Sequence, residues 1–334
     1  MTGRERVMSL ISGRPVDHLP LMPITMMFAA RFIGEKYGAY SHDYRLLAEA
    51  QMRTAEAFGF DQVSVICDSA EAADCGARFV FFDDQPSAID GQNARLADKS
   101  DLAALKMPIP TEAPEMQNRL RAVTLMHSRV GNEKLVEGWL EGPLAAAADL
   151  RGINTLMLDF YDDPDFVIDL FEFVLEVAIR FGKSQIEAGA ELIGVGDSAA
   201  SLVGPAIYRE FVWPFEKRIV DALHAAGGKV RLHICGNTHR ILEDIGRLDC
   251  DIVDIDSAVP LPLAREKIGP KAVLLGNIDP VRDLYSGSPE TIAASLSECH
   301  RQAGSRYIVA AGCEVPRDTP AENIDAMRHY AAAH

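Results

Sequence analysis

Residues 191–236, ELIGVGDSAASLVGPAIYREFVWPFEKRIVDALHAAGGKVRLHICG, decide how this chain folds. Two short apolar runs, 191–196 and 229–235, flank a segment of helical periodicity at 205–226. That segment opens on Pro205, which suits a first helical turn, and stops at Gly227-Gly228, which cannot sustain one. The flanking runs are too short for helices and read as strands buried on both faces. Strand, helix, strand in that order is the crossover unit of a parallel sheet.

The same pattern recurs along the chain. Apolar runs at 19–25, 62–67, 134–139, 251–256, 272–276 and 306–311 bring the expected strands to eight. A helix over 163–188 begins with Asp163 as cap and Pro164 in its first turn; Phe166, Leu170, Phe173, Val174, Val177 and Phe181 then recur at helical steps. Helices at 289–304 and 320–333 repeat the design. Eight parallel strands alternating with helices predict an α/β fold closed as a (β/α)8 TIM barrel. An open doubly wound sheet is the alternative, but no G-x-G-x-x-G follows a strand. The reading is one domain, 1–334, with an insertion after the second strand. Residues 68–133 are too long for a plain crossover; they hold an expected hairpin around 78–82 and a proline-rich connector at 107–115, placed over the barrel mouth.

Composition narrows the function. The 334 residues are 48% apolar and 25% charged, which supplies a sizeable core. Thirty-three basic residues against 49 acidic ones give −16, the reverse of a nucleic-acid footprint and unsuited to an anionic membrane surface. No apolar run is long enough to span a bilayer, and MTGRERVMSLISGRP lacks the apolar core of a secretory signal, so a cytoplasmic protein is expected. Six cysteines, at 67, 75, 235, 250, 299 and 313, are too scattered for a disulfide framework.

In a barrel, chemistry gathers at the C-terminal ends of strands. Those ends carry Asp68, Glu71, Glu141, Asp197, His233, Cys235, Asp256, Asn277, Asp279 and Cys313. His233-Ile234-Cys235 is the sharpest element, because residues two apart on a strand share a face. Cys313 follows the last strand and opens onto the same mouth. One imidazole and two thiols match a catalytic Zn2+ site that keeps its fourth position open. His239 and the remaining cysteines read as structural.

The chain resembles the uroporphyrinogen decarboxylase superfamily, and within it the zinc-dependent corrinoid:thiol methyltransferases, the best known of which methylate coenzyme M from methylcobalamin. RERVMSLISGRPVDHLP at the start, EGPLAAAADLRG at 141–152, GDSAASLVGPAIYREFVWPFEKRIV at 196–220, HICGN at 233–237, GNIDP at 276–280 and AAGCEVPRDTPAENI at 310–324 carry the resemblance. The decarboxylases hold substrate carboxylates with an arginine-bearing motif after the first strand. Here Phe28 stands at the first arginine and Arg31 is one position out of register with the second. Gly312-Cys313-Glu314-Val315 replaces a G-H-G-I segment, and His233 and Cys235 form a pair that the decarboxylases lack.

The resemblance implies a zinc held by His233, Cys235 and Cys313, a small thiol as acceptor, and a methylated corrinoid, presented by a separate corrinoid protein, as donor. It implies Asp197 as a catalytic carboxylate that orients substrate or the zinc ligands; a cap on the segment near Ser201 is the plainer alternative. Glu71 is a candidate extra zinc ligand or substrate contact. Glu141 and Asn277 are candidates for lining the pocket or for making turns. Met27 and Phe28 would pack against the corrinoid. A uroporphyrinogen decarboxylase and a non-catalytic corrinoid- or metal-binding protein are the competing readings.

Overall fold

A computed structural model describes residues 1–334, the side chain of Gln92 excepted. Its strands are β1 (Gln62–Ser64), β2 (Phe79–Val80), β3 (Ala88–Ile89), β4 (Leu135–Glu141), β5 (Leu192–Gly196), β6 (Lys229–His233), β7 (Ile252–Ile255), β8 (Val273–Gly276) and β9 (Tyr307–Ile308). Seven of them form one parallel sheet in the order β1-β4-β5-β6-β7-β8-β9, while β2 and β3 pair separately as an antiparallel hairpin. Helices connect the sheet strands, and Asp163 caps the helix Pro164–Glu187 as its sequence predicts, accepting the Phe166 N–H.

The expected first strand, 19–25, is corrected. Only Leu21 makes a bridge, parallel to Val309. Met22 N–H donates to Val309 O and Asp61 N–H to Leu21 O, so this segment joins the last strand to the first and curls the sheet back on itself. Pro20 and Pro23 explain why the ladder stops there: neither has an N–H to donate.

A second local departure has the same cause. The helix predicted at 205–226 is broken into Pro205–Ile207, a wide π turn at Tyr208–Val212, and Trp213–Ala225. Pro214 lacks an N–H and crowds the preceding turn, which the wider spiral accommodates.

One end of the sheet is stoppered. Helix Gly3–Ile11, started by a Thr2–Glu5 capping box, buries Val7, Leu10 and Ile11 against Leu135, Leu192, Ile252 and Val273, at the strand starts. Each such side chain contributes roughly 1.5–3 kcal/mol of burial. The opposite end, where the strands finish, is left for chemistry. Within 68–133, the β2–β3 hairpin lies toward that end, whereas helix Pro114–Val130 packs on β4 and on helices Tyr44–Phe58 and Pro164–Glu187. No helix among the described residues is long and apolar enough to cross a membrane.

Candidate metal centre

The centre is built on polar residues that alternate with apolar ones along strands. Arg231 and His233 of β6 face the interior, and His233 pairs in register with Asp254 of β7. Asp254 accepts from Arg231 Nε at 2.8 Å and Nη2 at 2.8 Å, and lies 2.9 Å from His233 Nδ1. Arg231 also reaches Glu137 of β4 and Gln62 of β1, each at 3.2 Å. All of these side chains are buried, so each charge depends on its partner. Burial pulls His233 down, but Asp254 and Cys313 outweigh it and raise the imidazole to about 9.

With Nδ1 occupied by Asp254, Nε2 faces the mouth. It lies 3.0 Å from Cys235 Sγ and 3.7 Å from Cys313 Sγ, and the two sulfurs are 3.7 Å apart. Two glycines make this convergence possible. Gly236 turns the chain after Cys235 at a φ of 82°, and its N–H donates to Asp256. A Cβ on Gly312 would sit 2.5 Å from the Ser257 nitrogen, so only glycine lets the last loop bring Cys313 in. The hydrogen bond from Cys235, helped by His233 and opposed by burial, lowers the Cys313 thiol to about 4; Cys235 rises in turn, chiefly through the same bond.

The donor set fits zinc. A tetrahedral ion with bonds of ~2.3 Å to sulfur and ~2.0–2.1 Å to nitrogen spaces its ligand atoms by roughly 3.5–3.8 Å. Two of the three separations match, and the His233–Cys235 approach is shorter. The Asp254 carboxylate behind the imidazole fixes its tautomer, as a metal-bound histidine would require.

The other expected residues divide. Glu141, at the end of β4, lines a cavity of about 380 Å³ with Asp68, Asp149, Ala145, Ser198 and Leu202, and its carboxylate has no hydrogen-bond partner among the described residues. Asp197 is fully buried and is not gathered with the His–Cys–Cys group. It accepts the Leu144 and Ala145 N–H groups at 3.2 and 2.8 Å, so it caps helix Pro143–Arg151, not the segment near Ser201. Burial raises it to about 7. Its own N–H donates to the His233 carbonyl, which ties it to the centre through the backbone.

Three of the expected residues have their side chains engaged within the fold. Glu71 is buried on helix Ala70–Asp74 and accepts the Glu141 N–H at 2.9 Å; it is not gathered with the His–Cys–Cys group. Asn277 uses its amide to hold the Asp256 and Val259 carbonyls and accepts from Cys299, so it ties loops together. Phe28 packs inward on Phe58 and Phe32 and is 5% exposed. Met27 stays half-buried at the start of helix Met27–Phe32, its N–H donating to Glu314. Exposed His239 lies in a turn that Asn237 caps, its N–H donating to Asn237 Oδ1.

Sequence reasoning missed Asp254, Arg231 and Glu137 as a group. The available signal was a charged residue at an inward position of an otherwise apolar strand: Glu137 in LVEGWLE, Arg231 in KVRLH and Asp254 in IVDI. Glu314 was also missed; it adjoins Cys313 and burial raises it to about 7.

Among known proteins, a methylcobamide:CoM methyltransferase (MtbA) of Methanosarcina mazei is 29% identical over 98% of this chain and 96% of its own length. A methylcobamide:CoM methyltransferase (MtaA) of Methanosarcina barkeri is 25% identical over the same shares. A uroporphyrinogen decarboxylase of Streptomyces griseus is 31% identical, but over 54% of this chain and 50% of its own. A solved methyltransferase structure from Methanosarcina mazei superposes with a TM-score of 0.90 at 22% identity, covering 100% of this chain and 99% of that one, which establishes the shared fold. The uroporphyrinogen decarboxylase (URO-D) family model matches residues 2–334, and the chain belongs to that family.

Proposed function

We propose that this protein is a corrinoid-dependent methyltransferase that moves a methyl group from a methylated corrinoid to a small thiol. The carrying observation is the convergence of His233 Nε2, Cys235 Sγ and Cys313 Sγ within 4.8 Å at the open end of the sheet. The full-length similarity to methylcobamide:CoM methyltransferases supports the reading, whereas similarity to decarboxylases covers about half the chain. The missing arginine at Phe28 also argues against a substrate bearing many carboxylates.

His233, Cys235 and Cys313 would hold zinc, which supplies thiol acidification near neutral pH when bound. The chain's own residues do the rest. Asp254 holds the imidazole with its donor nitrogen facing the thiols, and Arg231 balances Asp254 and Glu137 behind it. Asp197 is a positioning residue that locks the ends of β5 and helix Pro143–Arg151 beside β6. The reaction balances as thiolate attack on the methyl carbon: the S–C bond forms, the Co–C electron pair stays on cobalt, which falls from Co(III) to Co(I), and the thiol proton leaves to solvent. A corrinoid protein in the cytoplasm is the proposed donor partner, and the insertion 68–133, with its hairpin toward the strand ends, is the proposed cover of a closed barrel mouth.

The test is metal analysis followed by methylcobalamin demethylation with thiols. About one zinc per chain is expected, lost in Cys235→Ser and Cys313→Ser and kept in Cys250→Ser, with demethylation requiring zinc and thiol together. Full zinc content in both ligand variants, or porphyrinogen decarboxylation that survives chelation, overturns the reading.

A further inference from the structure

The chain has two tryptophans, and their indole N–H groups meet different fates. An indole nitrogen only donates, and inside a protein it ordinarily finds an acceptor. Trp213 Nε1 donates to the Asp244 carbonyl at 2.8 Å. Trp139 is 8% exposed, and buried Gln185 takes its backbone N–H and carbonyl at 2.8 and 2.9 Å. Its indole N–H meets no acceptor among the described residues. That nitrogen is not sealed in the interior either: the buried side-chain nitrogens and oxygens left without partners belong to Thr54, Glu216, Arg306, Tyr307 and Arg328. The donor therefore opens on solvent.

Two glycines fix where it points. The Trp139 ring lies across β5. A Cβ on Gly194 would stand 2.1 Å from Cε3 and 2.4 Å from Cζ3, whereas one on Gly196 would stand 3.0 Å from Cζ2 and 3.2 Å from Nε1. Because β5 runs from Leu192 to Gly196, the edge bearing Nε1 is the one at the end where the strands finish. Gly196 is in register with His233, and the indole and imidazole ring centres are 6.3 Å apart. The N–H is thus a donor in the wall of the His–Cys–Cys group, on its open side. Neighbouring polar groups are already committed. Asp254 faces Arg231 and His233, and Asp256 accepts the Gly236 and Ala258 N–H groups.

We propose that Trp139 selects the methyl acceptor: its indole N–H donates to an oxygen at the far end of a short thiol whose sulfur lies at His233, Cys235 and Cys313, so thiols with a terminal oxygen are taken over plain alkyl thiols. The inference rests on the methyl-transfer reading. A hydroxyl, carboxylate or sulfonate oxygen accepts from the indole and replaces the water it displaces. An alkyl thiol seated there strips that water and leaves the donor bare, the costly side of the exchange. Gly194 and Gly196 seat the ring and Gln185 holds its backbone, so the donor is in place before the ligand arrives.

Ethanethiol and 2-mercaptoethanol differ by that oxygen alone and serve as probes of zinc-loaded protein. Proton–nitrogen correlation spectra of isotope-labelled protein show the two indole groups, and Trp213→Phe assigns them. Saturation with 2-mercaptoethanol is expected to move the Trp139 indole proton downfield, and ethanethiol to leave it near its free position. In methylcobalamin demethylation, Trp139→Phe keeps an aromatic ring without the N–H. It is expected to lower the ratio of kcat/KM for 2-mercaptoethanol over ethanethiol by about fivefold, the weight of one neutral hydrogen bond. Trp213→Phe is expected to keep that ratio. An unmoved Trp139 resonance, an equal shift with both thiols, or an unchanged ratio in Trp139→Phe overturns the assignment and leaves methyl transfer standing. Absence of demethylation with either thiol sinks methyl transfer, and the Trp139 resonance then decides the assignment through binding alone.

Discussion

The Asp254 carboxylate stands 2.9 Å from His233 Nδ1, and it thereby aims the other ring nitrogen at Cys235 and Cys313. The same carboxylate is the main counter-ion of buried Arg231. One residue of β7 therefore couples the geometry of the metal centre to the stability of the barrel interior.

Asp254→Asn separates these roles. Losing the carboxylate behind a ligating histidine weakens metal binding by roughly 10–100-fold. Competition against a chromogenic chelator is expected to show that loss, with zinc restored at higher concentration. Unchanged affinity would mean that His233 is oriented by packing alone.

Arg231→Leu leaves buried Glu137 without its cation and Asp254 with His233 alone. Removing one partner of a buried ionic group costs about 3–5 kcal/mol. Denaturant unfolding is expected to show a loss of that size. Arg317→Ala removes partly exposed pairs with Asp84 and Asp318 and is expected to change stability by ~1 kcal/mol or less.

Buried carboxyls set the pH dependence of folding. Burial raises Asp149 and Asp197 from 3.8, and Glu71 from 4.5, to about 7. The folded state therefore binds more protons than the unfolded chain between those values. Their contribution is fully present below the unfolded pKa and is lost as pH rises through the folded one. The melting temperature is expected to fall between pH 5 and about 7.5 and to level off above, with Glu71→Gln flattening the slope. A melting temperature that climbs steadily to pH 8 would contradict the assignment.

Gly194 lies under the Trp139 ring, where an added Cβ would come within 2.1 Å of its carbon atoms. Gly194→Ala is expected to destabilise by roughly 1–3 kcal/mol through overpacking. Only two tryptophans are present, so a shift in Trp139 emission should accompany it. Displacing the ring also disturbs the wall beside His233, and zinc retention in this variant reports how far that disturbance travels.

Short-range information in the sequence determined much of this protein. Apolar runs, proline starts and glycine stops placed seven of the eight strands and the long helix Pro164–Glu187, because strand and helix periodicities are local properties. His233 and Cys235 could be put on one face for the same reason. The failures came where a residue's role depends on what lies across the barrel. Prolines 20 and 23 reduced the first strand to a bridge, which depends on which neighbour needs an N–H. Asp197 could be a catalytic carboxylate or a cap for the residues that follow it; the structure shows it capping a helix some fifty positions earlier in sequence, at Leu144 and Ala145. Asn277 could line the pocket or make a turn from its sequence alone, and the structure sets it on loop carbonyls, while Phe28 packs on aromatic rings. The pairing of Asp254 with His233 needed the register of β6 on β7. Register and closure are set by long-range burial, so only the tertiary structure decided which polar side chains face one another, and hence which of them can act on a ligand.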